Sequence, residues 1–557
     1  MTDVAIESVV DLADRFWQWT LSRQPIMATV LGDERYDDRL PDPTDFGRAE
    51  ERSALRGFLG DAKSMERLGL SHEDAITLDV LETVARIWLR EIDHDLHHFE
   101  AIDQAGGPQN LPGDLSRFQR VDTPERVDRL IRRLELYPDY LAAHRANLLE
   151  GIAARRTAAA PVVSRVIDQV RRAVGGGAYE SPLLVAHPEL DEATRARIRA
   201  AIEEYVLPAL VDHLAALEGY REFARQQEGV WALPDGQELY QTMIVASTTL
   251  DESPDAIHRY GLEQLEAIAN ETKAVAAELG FSDVGSMRAA LATEKWNFAA
   301  TSSEIVKRAE AYIDKASKQA PRWFGRLPKA PVEVRAVERY QEAEAPPAFY
   351  YPPAPDGSRS GIYFVNTYQP EQRPLYRLAE MTYHEAVPGH HFQITIESEL
   401  DNLPDLRRFG ARRAGVAYTE GWGLYSERLA DEMGLYDNAW ERLGMLDGQA
   451  WRAARLVVDT GMHAFRWTRD QSIDLLMTIG LSRLEAETET DRYIAWPGQA
   501  LAYMTGMREI RALRDEIEER DGEHFDIKNF HDELIGHGSL PLPTMRRVIP
   551  NWVKPKS

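Results

Sequence analysis

Gly361-Ile362-Tyr363-Phe364-Val365-Asn366, then His384-Glu385-Ala386-Val387-Pro388-Gly389-His390-His391, is the part of this 557-residue chain on which its reading turns. The first segment is aromatic and β-branched. It lies between about Leu327 and Thr367, where Pro328, Pro331, Pro346, Pro347, Pro352, Pro353 and Pro355 rule out long helices. Val332-Glu333-Val334 alternates as a strand does, and Phe349-Tyr350-Tyr351 is a second β-prone run. A small three-stranded sheet is expected there, with helices resuming after Gln372-Arg373-Pro374.

Outward from this region the chain reads as helix. Ile76, Val80, Val84, Ile87, Ile92 and Leu96 recur at near-helical spacing, as do Leu130, Leu134, Tyr137, Leu141 and Leu148. Ser253-Pro254-Asp255 reads as an N-cap followed by a first-turn proline, opening a helix through Ile268. Gly175-Gly176-Gly177 reads as a loop. The predicted class is mainly α, with a helical N-terminal lobe over residues 1–325 and a lobe carrying the sheet and the chemistry over residues 326–557.

Acidic residues outnumber basic ones 91 to 65, for a net charge of -26. Such an excess repels phosphate backbones and anionic lipid surfaces, so neither nucleic acid nor membrane is an expected partner. No apolar stretch approaches the roughly 20 residues of a membrane-spanning helix. The start, Met1-Thr2-Asp3-Val4-Ala5-Ile6-Glu7, lacks the basic and apolar runs of a signal peptide, and the cytoplasm is the expected location. None of these features encodes an oligomeric state.

Cysteine is absent, which leaves His, Asp and Glu as metal donors. A metal-dependent hydrolase needs two neutral imidazoles, a carboxylate third ligand, an open position for water and a carboxylate base. His-Glu-x-x-His supplies most of this, because an i, i+4 pair lies on one helix face about 6 Å apart along the axis. Here the fourth residue after His384 is Pro388. In an unbroken helix His391 would share the face of His384 but lie about 10 Å away, and His390 would point elsewhere. Pro388 removes an amide and Gly389 relaxes the backbone, so a bulge absorbing two residues is expected to bring His390 into place. His391 is the alternate.

The third ligand is expected from Tyr418-Thr419-Glu420-Gly421-Trp422-Gly423-Leu424-Tyr425-Ser426-Glu427-Arg428. Glu420 and Glu427 share a face but stand about 10 Å apart, so only one ligates. Glu420 follows a capping-type threonine and precedes Gly421, which admits a neighbouring backbone, and it is the choice. Glu427 is the alternate, or a structural acid. The ion expected is one Zn2+, with another divalent metal as the alternative. His94-Asp95-Leu96-His97-His98 also spaces imidazoles at i, i+4, but with no evident third ligand it reads as a solvated surface.

Four segments together carry a resemblance: residues 384–393, residues 419–427, Asp459-Thr460-Gly461-Met462-His463-Ala464-Phe465-Arg466-Trp467, and Pro497-Gly498-Gln499-Ala500-Leu501-Ala502-Tyr503. They resemble a bacterial family known as domain of unknown function 885, over nearly the whole chain. The first segment is also similar to the metal helix of gluzincin peptidases, such as angiotensin-converting enzyme and the M32-type carboxypeptidases, with two residues inserted. Dipeptidyl peptidase III, with one inserted residue, suggests that such a helix still binds zinc. The resemblance implies a two-lobed, cleft-bearing helical fold with His384, His390 and Glu420 as ligands and Glu385 as base.

The function expected is zinc-dependent hydrolysis of amide bonds in short peptides, with Glu385 taking the proton of a metal-activated water. Tyr503 and His463 are the candidates for oxyanion donor. The strand from Gly361 to Asn366 is expected to offer its edge to an extended peptide, with Asn366, Arg455 and His537 as candidate substrate contacts. For Arg455 the preferred reading is the partner of a structural carboxylate. Two other functions compete: a metal-dependent hydrolase of a small non-peptide amide or ester, and a non-catalytic binding protein on a peptidase-like fold. The retained Glu385 argues against the second.

Overall fold

The apolar rows read from the sequence become buried helix faces in a computed structural model, which describes residues 8–554 apart from 339–341, 343, 344, 356 and 358. Helix α1, His72–Asp93, opens where the Ser71 hydroxyl accepts the Asp74 N–H at 3.1 Å. It buries Ile76, Val80, Val84, Ile87 and Ile92. Helix α2, Pro254–Glu278, is capped by Ser253 and runs past the expected end at Ile268, because Val275 and Ala276 continue its buried stripe. The glycine run is not a loop throughout. Gly175 and Gly176 close the helix Ala160–Gly176, and the chain leaves it at Gly177, whose φ of 62° suits glycine.

Three strands form the small sheet: β1 Val332–Ala336, β2 Ala348–Tyr351 and β3 Gly361–Val365. Their order is β1-β3-β2, with β3 parallel to β1 and antiparallel to β2. This corrects one expectation. β3 is the central strand, hydrogen-bonded on both sides and buried at every position, so it has no free edge to offer a peptide. A strand buried on both faces reads as an unbroken apolar run, which is what Ile362 to Val365 supplies.

The chemistry-bearing helices follow: α3 Leu378–Glu385, α4 His390–Ser398, α5 Val416–Glu432, α6 Ala439–His463, α7 Arg483–Ala495 and α8 Ala502–Asp521. α5 lies along α8, and α2 along α6. The two backbones nearly touch where Gly421 of α5 meets Gly506 of α8: an added Cβ at Gly421 would stand 2.5 Å from the Gly506 Cα, and one at Gly506 1.7 Å from the Ala417 carbonyl oxygen. Buried apolar residues from Val9 to Val553 form one continuous cluster that crosses residue 326. Val337, Ile362 and Phe364 form a separate small cluster at the sheet. The chain is therefore mainly helical with one small sheet. Among the described residues no helix is long and apolar enough to cross a membrane.

Candidate metal centre

The segment between the two histidines is a clean break and not the bulge expected within one helix. α3 stops at Glu385, Ala386 takes φ -111° and ψ -101°, the Val387–Pro388 peptide is cis, and α4 starts afresh at His390. Gly389 sits over the end of α3 so tightly that a Cβ there would lie 1.9 Å from the His384 carbonyl oxygen. The Trp422 indole N–H donates to the Pro388 carbonyl at 2.9 Å, and the Ser426 hydroxyl donates to the Tyr383 carbonyl at 3.1 Å. Helix α5 thus holds both sides of the break, and carbonyls freed by it find donors.

This break brings His384 and His390 together. Their ring centroids are 4.7 Å apart and nearly perpendicular. The Nε2 atoms of His390 and His384 stand 3.3 and 3.8 Å from Glu420 Oε2, a buried oxygen without a hydrogen-bond partner. Donors held 2.0–2.2 Å from a tetrahedral zinc are about 3.3–3.6 Å from one another. The three residues offer donor atoms within 4.8 Å of one another, somewhat wider than that spacing, and are the candidate ligands for a single ion. Gly423, one turn after Glu420, makes room for both rings: a Cβ there would lie 2.9 Å from His384 Nε2 and 3.0 Å from His390 Cε1.

Glu427 stands behind His384. The Nδ1–H donates to Glu427 Oε1 at 2.7 Å, which leaves Nε2 as the free donor atom of that ring. Glu427 is fully buried, accepts from Gln449 Nε2 at 2.9 Å, and lies 3.7 Å from Arg452, which donates to Glu380 at 2.9 Å. Burial beside Glu427 raises the Glu380 pKa to about 7. Burial would lower the pKa of His384, but Glu420 and Glu427 prevail and hold it up at about 9. Burial would raise the Glu420 carboxyl, yet His390 and His384 hold it well below the usual carboxylate range. The charges on His384 and Glu420 are thus set by each other and by their neighbours Glu427 and His390, against the effect of burial.

Glu385 ends α3 half-buried, and its side chain makes no hydrogen bond among the described residues. Tyr503, from α8, stacks over His384 at 6.3 Å with Arg455 over its ring at 4.4 Å, and burial raises its phenol so that it keeps its proton. His391 turns the other way. Its Nδ1 lies 3.0 Å from the Tyr350 hydroxyl of β2 and 3.2 Å from Thr395, and burial pushes its pKa down to about 4.

The other candidates are engaged in contacts of their own. His463 has Nδ1 accepting from the Val230 N–H at 3.2 Å and Nε2 at 3.0 Å from the Tyr493 carbonyl, which is a satisfied core imidazole. Asn366 clasps the preceding loop, donating to the carbonyls of Glu342 and Ala345. Arg455 pairs with Glu489 at 3.2 Å. His537 sits between Glu73 and Glu533 against Trp552, far along the chain from the cluster. Residues that spacing did not single out are Glu380, Gln449, Arg452, Trp422 and Gly423. Only Glu380, one helical turn before His384, carried a local signal.

The His94–His98 segment is not a solvated surface. α1 ends at Asp93, Asp95 turns left-handed, and His98 is buried against the helix Tyr137–Ala154, which brings Glu150 to 4.0 Å from His97. Burial drives the His97 pKa down to about 3. Arg48 lies 3.6 Å from the same carboxylate and sets a positive charge against any cation there.

The family described as "Bacterial protein of unknown function (DUF885)" matches residues 25–549, and the chain belongs to it. None of the curated proteins matches significantly. A solved structure described as "the putative lipoprotein from Colwellia psychrerythraea" is 27% identical over 98% of this chain and 99% of its own, with a TM-score of 0.92. One from Shewanella oneidensis, described as "a putative lipoprotein of unknown function", is 19% identical over 97% and 99%, with a TM-score of 0.76, and shares the fold.

Proposed function

We propose that this member of the DUF885 family is a zinc-dependent hydrolase of amide bonds in short peptides, built on a gluzincin-like, cleft-bearing fold. One observation carries the reading: His384 Nε2, His390 Nε2 and the unpartnered Glu420 Oε2 converge, while Glu427 fixes the His384 tautomer from behind. When bound, zinc supplies Lewis acidity toward a water and the scissile carbonyl. Glu385, adjacent to His384 and free of other hydrogen bonds, receives the water proton and returns it to the leaving amine. The Tyr503 hydroxyl, protonated and beside His384, donates to the developing oxyanion.

The Glu420 side chain is 21% exposed although its Oε2 is buried, and substrate is expected to approach the donor set from that exposed side. Zinc content and hydrolysis of short peptides test the proposal together. Stoichiometric zinc is expected in the wild type and in Glu385→Gln, but not in His384→Ala. Glu385→Gln is expected to lose about 10²–10⁴-fold in turnover, the usual worth of a positioned base. Unchanged hydrolysis in that variant would place the activity elsewhere. The compartment proposed from composition is the cytoplasm. The description of the Colwellia protein as a lipoprotein offers the cell envelope as the alternative, and cell fractionation decides between them.

A further inference from the structure

Tyr503 sits in the first turn of α8, where its ring meets His384 at 6.3 Å with planes 25° apart and the Arg455 guanidinium at 4.4 Å from its centroid. Arg455 lies on α6 and is 4% exposed. Its Nε donates to the Tyr493 hydroxyl at 2.9 Å and its Nη2 to Glu489 at 3.2 Å. The same hydroxyl donates to Glu489 at 2.7 Å and accepts the Trp451 indole N–H at 3.0 Å, so its hydrogen-bonding capacity is filled. Trp451 also turns its ring to the guanidinium, at 4.4 Å. Two aromatic rings, a phenol oxygen and a carboxylate, brought together from α6, α7 and α8, therefore fix one buried guanidinium.

A guanidinium over an aromatic face is attracted by the negative π-cloud, and one already locked by hydrogen bonds holds that ring in one place. Tyr503 is only partly buried, so its ring would have freedom to turn without such a neighbour. A donor to a developing oxyanion is effective when it is fixed beforehand where the charge will appear. We infer that Arg455 is a positioning residue for Tyr503: locked by Glu489 and Tyr493, its guanidinium holds the phenol ready for the oxyanion, and the two residues act as one unit on the transition state. The inference rests on the zinc reading above, in which Tyr503 is the oxyanion donor, and extends that site to a residue outside the metal's donor set. Arg492 also donates to Glu489, at 2.6 Å, so this carboxylate keeps a cationic partner when Arg455 is replaced.

The test is a double-mutant cycle on the zinc-loaded protein, with an internally quenched alanine tetrapeptide as substrate and its phosphinate isostere as transition-state mimic. Tyr503→Phe is expected to lose about 10²–10³-fold in kcat, the usual effect of removing one oxyanion donor. Arg455→Met is expected to lose about 10–100-fold in kcat with KM within about threefold, to bind the phosphinate correspondingly less tightly, and to keep stoichiometric zinc. In the Tyr503→Phe background the same change should lower kcat by less than about threefold, because no hydroxyl is left to position. Arg455→Lys should recover part of the loss by keeping a cation over the ring without the full donor fork, and it carries the cycle if Arg455→Met does not fold. A loss that persists undiminished in Tyr503→Phe, or that appears in KM, makes Arg455 a structural or substrate-contacting group and overturns the inference. Wild-type turnover in Tyr503→Phe also overturns it and leaves the roles of the metal and Glu385 standing. If zinc is bound and the peptide is not cleaved, this inference falls while the metal centre stands. If zinc is refused, the metal reading falls and takes this one with it.

Discussion

Adding one methyl group at Gly423 should strip the site of most of its zinc affinity while leaving the fold intact. The position lies on α5, one turn after Glu420, and an alanine Cβ there would stand 2.9 Å from Cε1 and Nε2 of His384 and 3.0 Å from Cε1 of His390. Carbon contacts relax to about 3.5–4.0 Å, so the rings must retreat by at least roughly 0.5 Å. His384 has nowhere to go, because Glu427 holds its Nδ1 at 2.7 Å and Tyr503 stacks on its face. His390 begins α4 directly after the tight turn at Gly389. Zinc tolerates ligand distances to within about ±0.2 Å. The expected loss in Gly423→Ala is therefore at least 10–100-fold in zinc affinity, comparable to losing a supporting partner of a ligand. On stability the overpacking, about 1–3 kcal/mol, works against the helix preference for alanine over glycine of about 1 kcal/mol, so the zinc-free protein should be slightly less stable. Gly57 is the control: it lies in the helix Asp45–Ser64 with nothing within 4 Å of its added Cβ, and Gly57→Ala should stabilise by ~0.5–1 kcal/mol without touching zinc. Competition with a chromophoric chelator reads the affinity, and thermal melts of the zinc-free proteins read the fold. A Gly423→Ala protein that binds zinc as the wild type does, within about threefold, would refute the steric argument and the donor geometry behind it.

Glu427→Gln keeps an acceptor for His384 but sets an amide N–H₂ against the Gln449 amide and removes a charge facing Arg452; zinc affinity should fall about 10–100-fold, read by the same competition assay. His390→Gln should abolish stoichiometric zinc whereas His391→Gln should retain it, since His391 is turned to Tyr350; elemental analysis that ranks the two the other way would reverse the ligand assignment. His537 is partly buried, which opposes its charge, but Glu533 and Glu73 hold its pKa above the usual histidine value. The stability it contributes is therefore full below the unfolded pKa near 6.5 and is lost as pH rises through the folded value. The melting-temperature gap between wild type and His537→Gln should be widest in mild acid and close with rising pH, and a gap independent of pH would contradict the ion pairs drawn to Glu73 and Glu533.

Local patterning was enough for the helices and for the location of the three strands. A 3.6-residue apolar row, a serine before a proline and a proline-dense gap act through nearest neighbours, and Ile76 to Ile92, Ser253 and Val332 to Val365 behave accordingly. The identities of His384 and Glu385 were legible for the same reason, since they are neighbours in sequence. What lay beyond reach depends on distances between segments far apart in sequence. Whether β3 is an edge or a centre is decided by β1 pairing parallel to it on one side while β2 pairs antiparallel on the other. His390 joins His384 and His391 does not because the chain breaks completely after Glu385 and Trp422 clamps the break, whereas spacing alone described a continuous helix. Periodicity specifies which face of an element is apolar. The meeting of two faces is set by how closely backbones approach, as at Gly421 on Gly506, and that is a property of the packed chain.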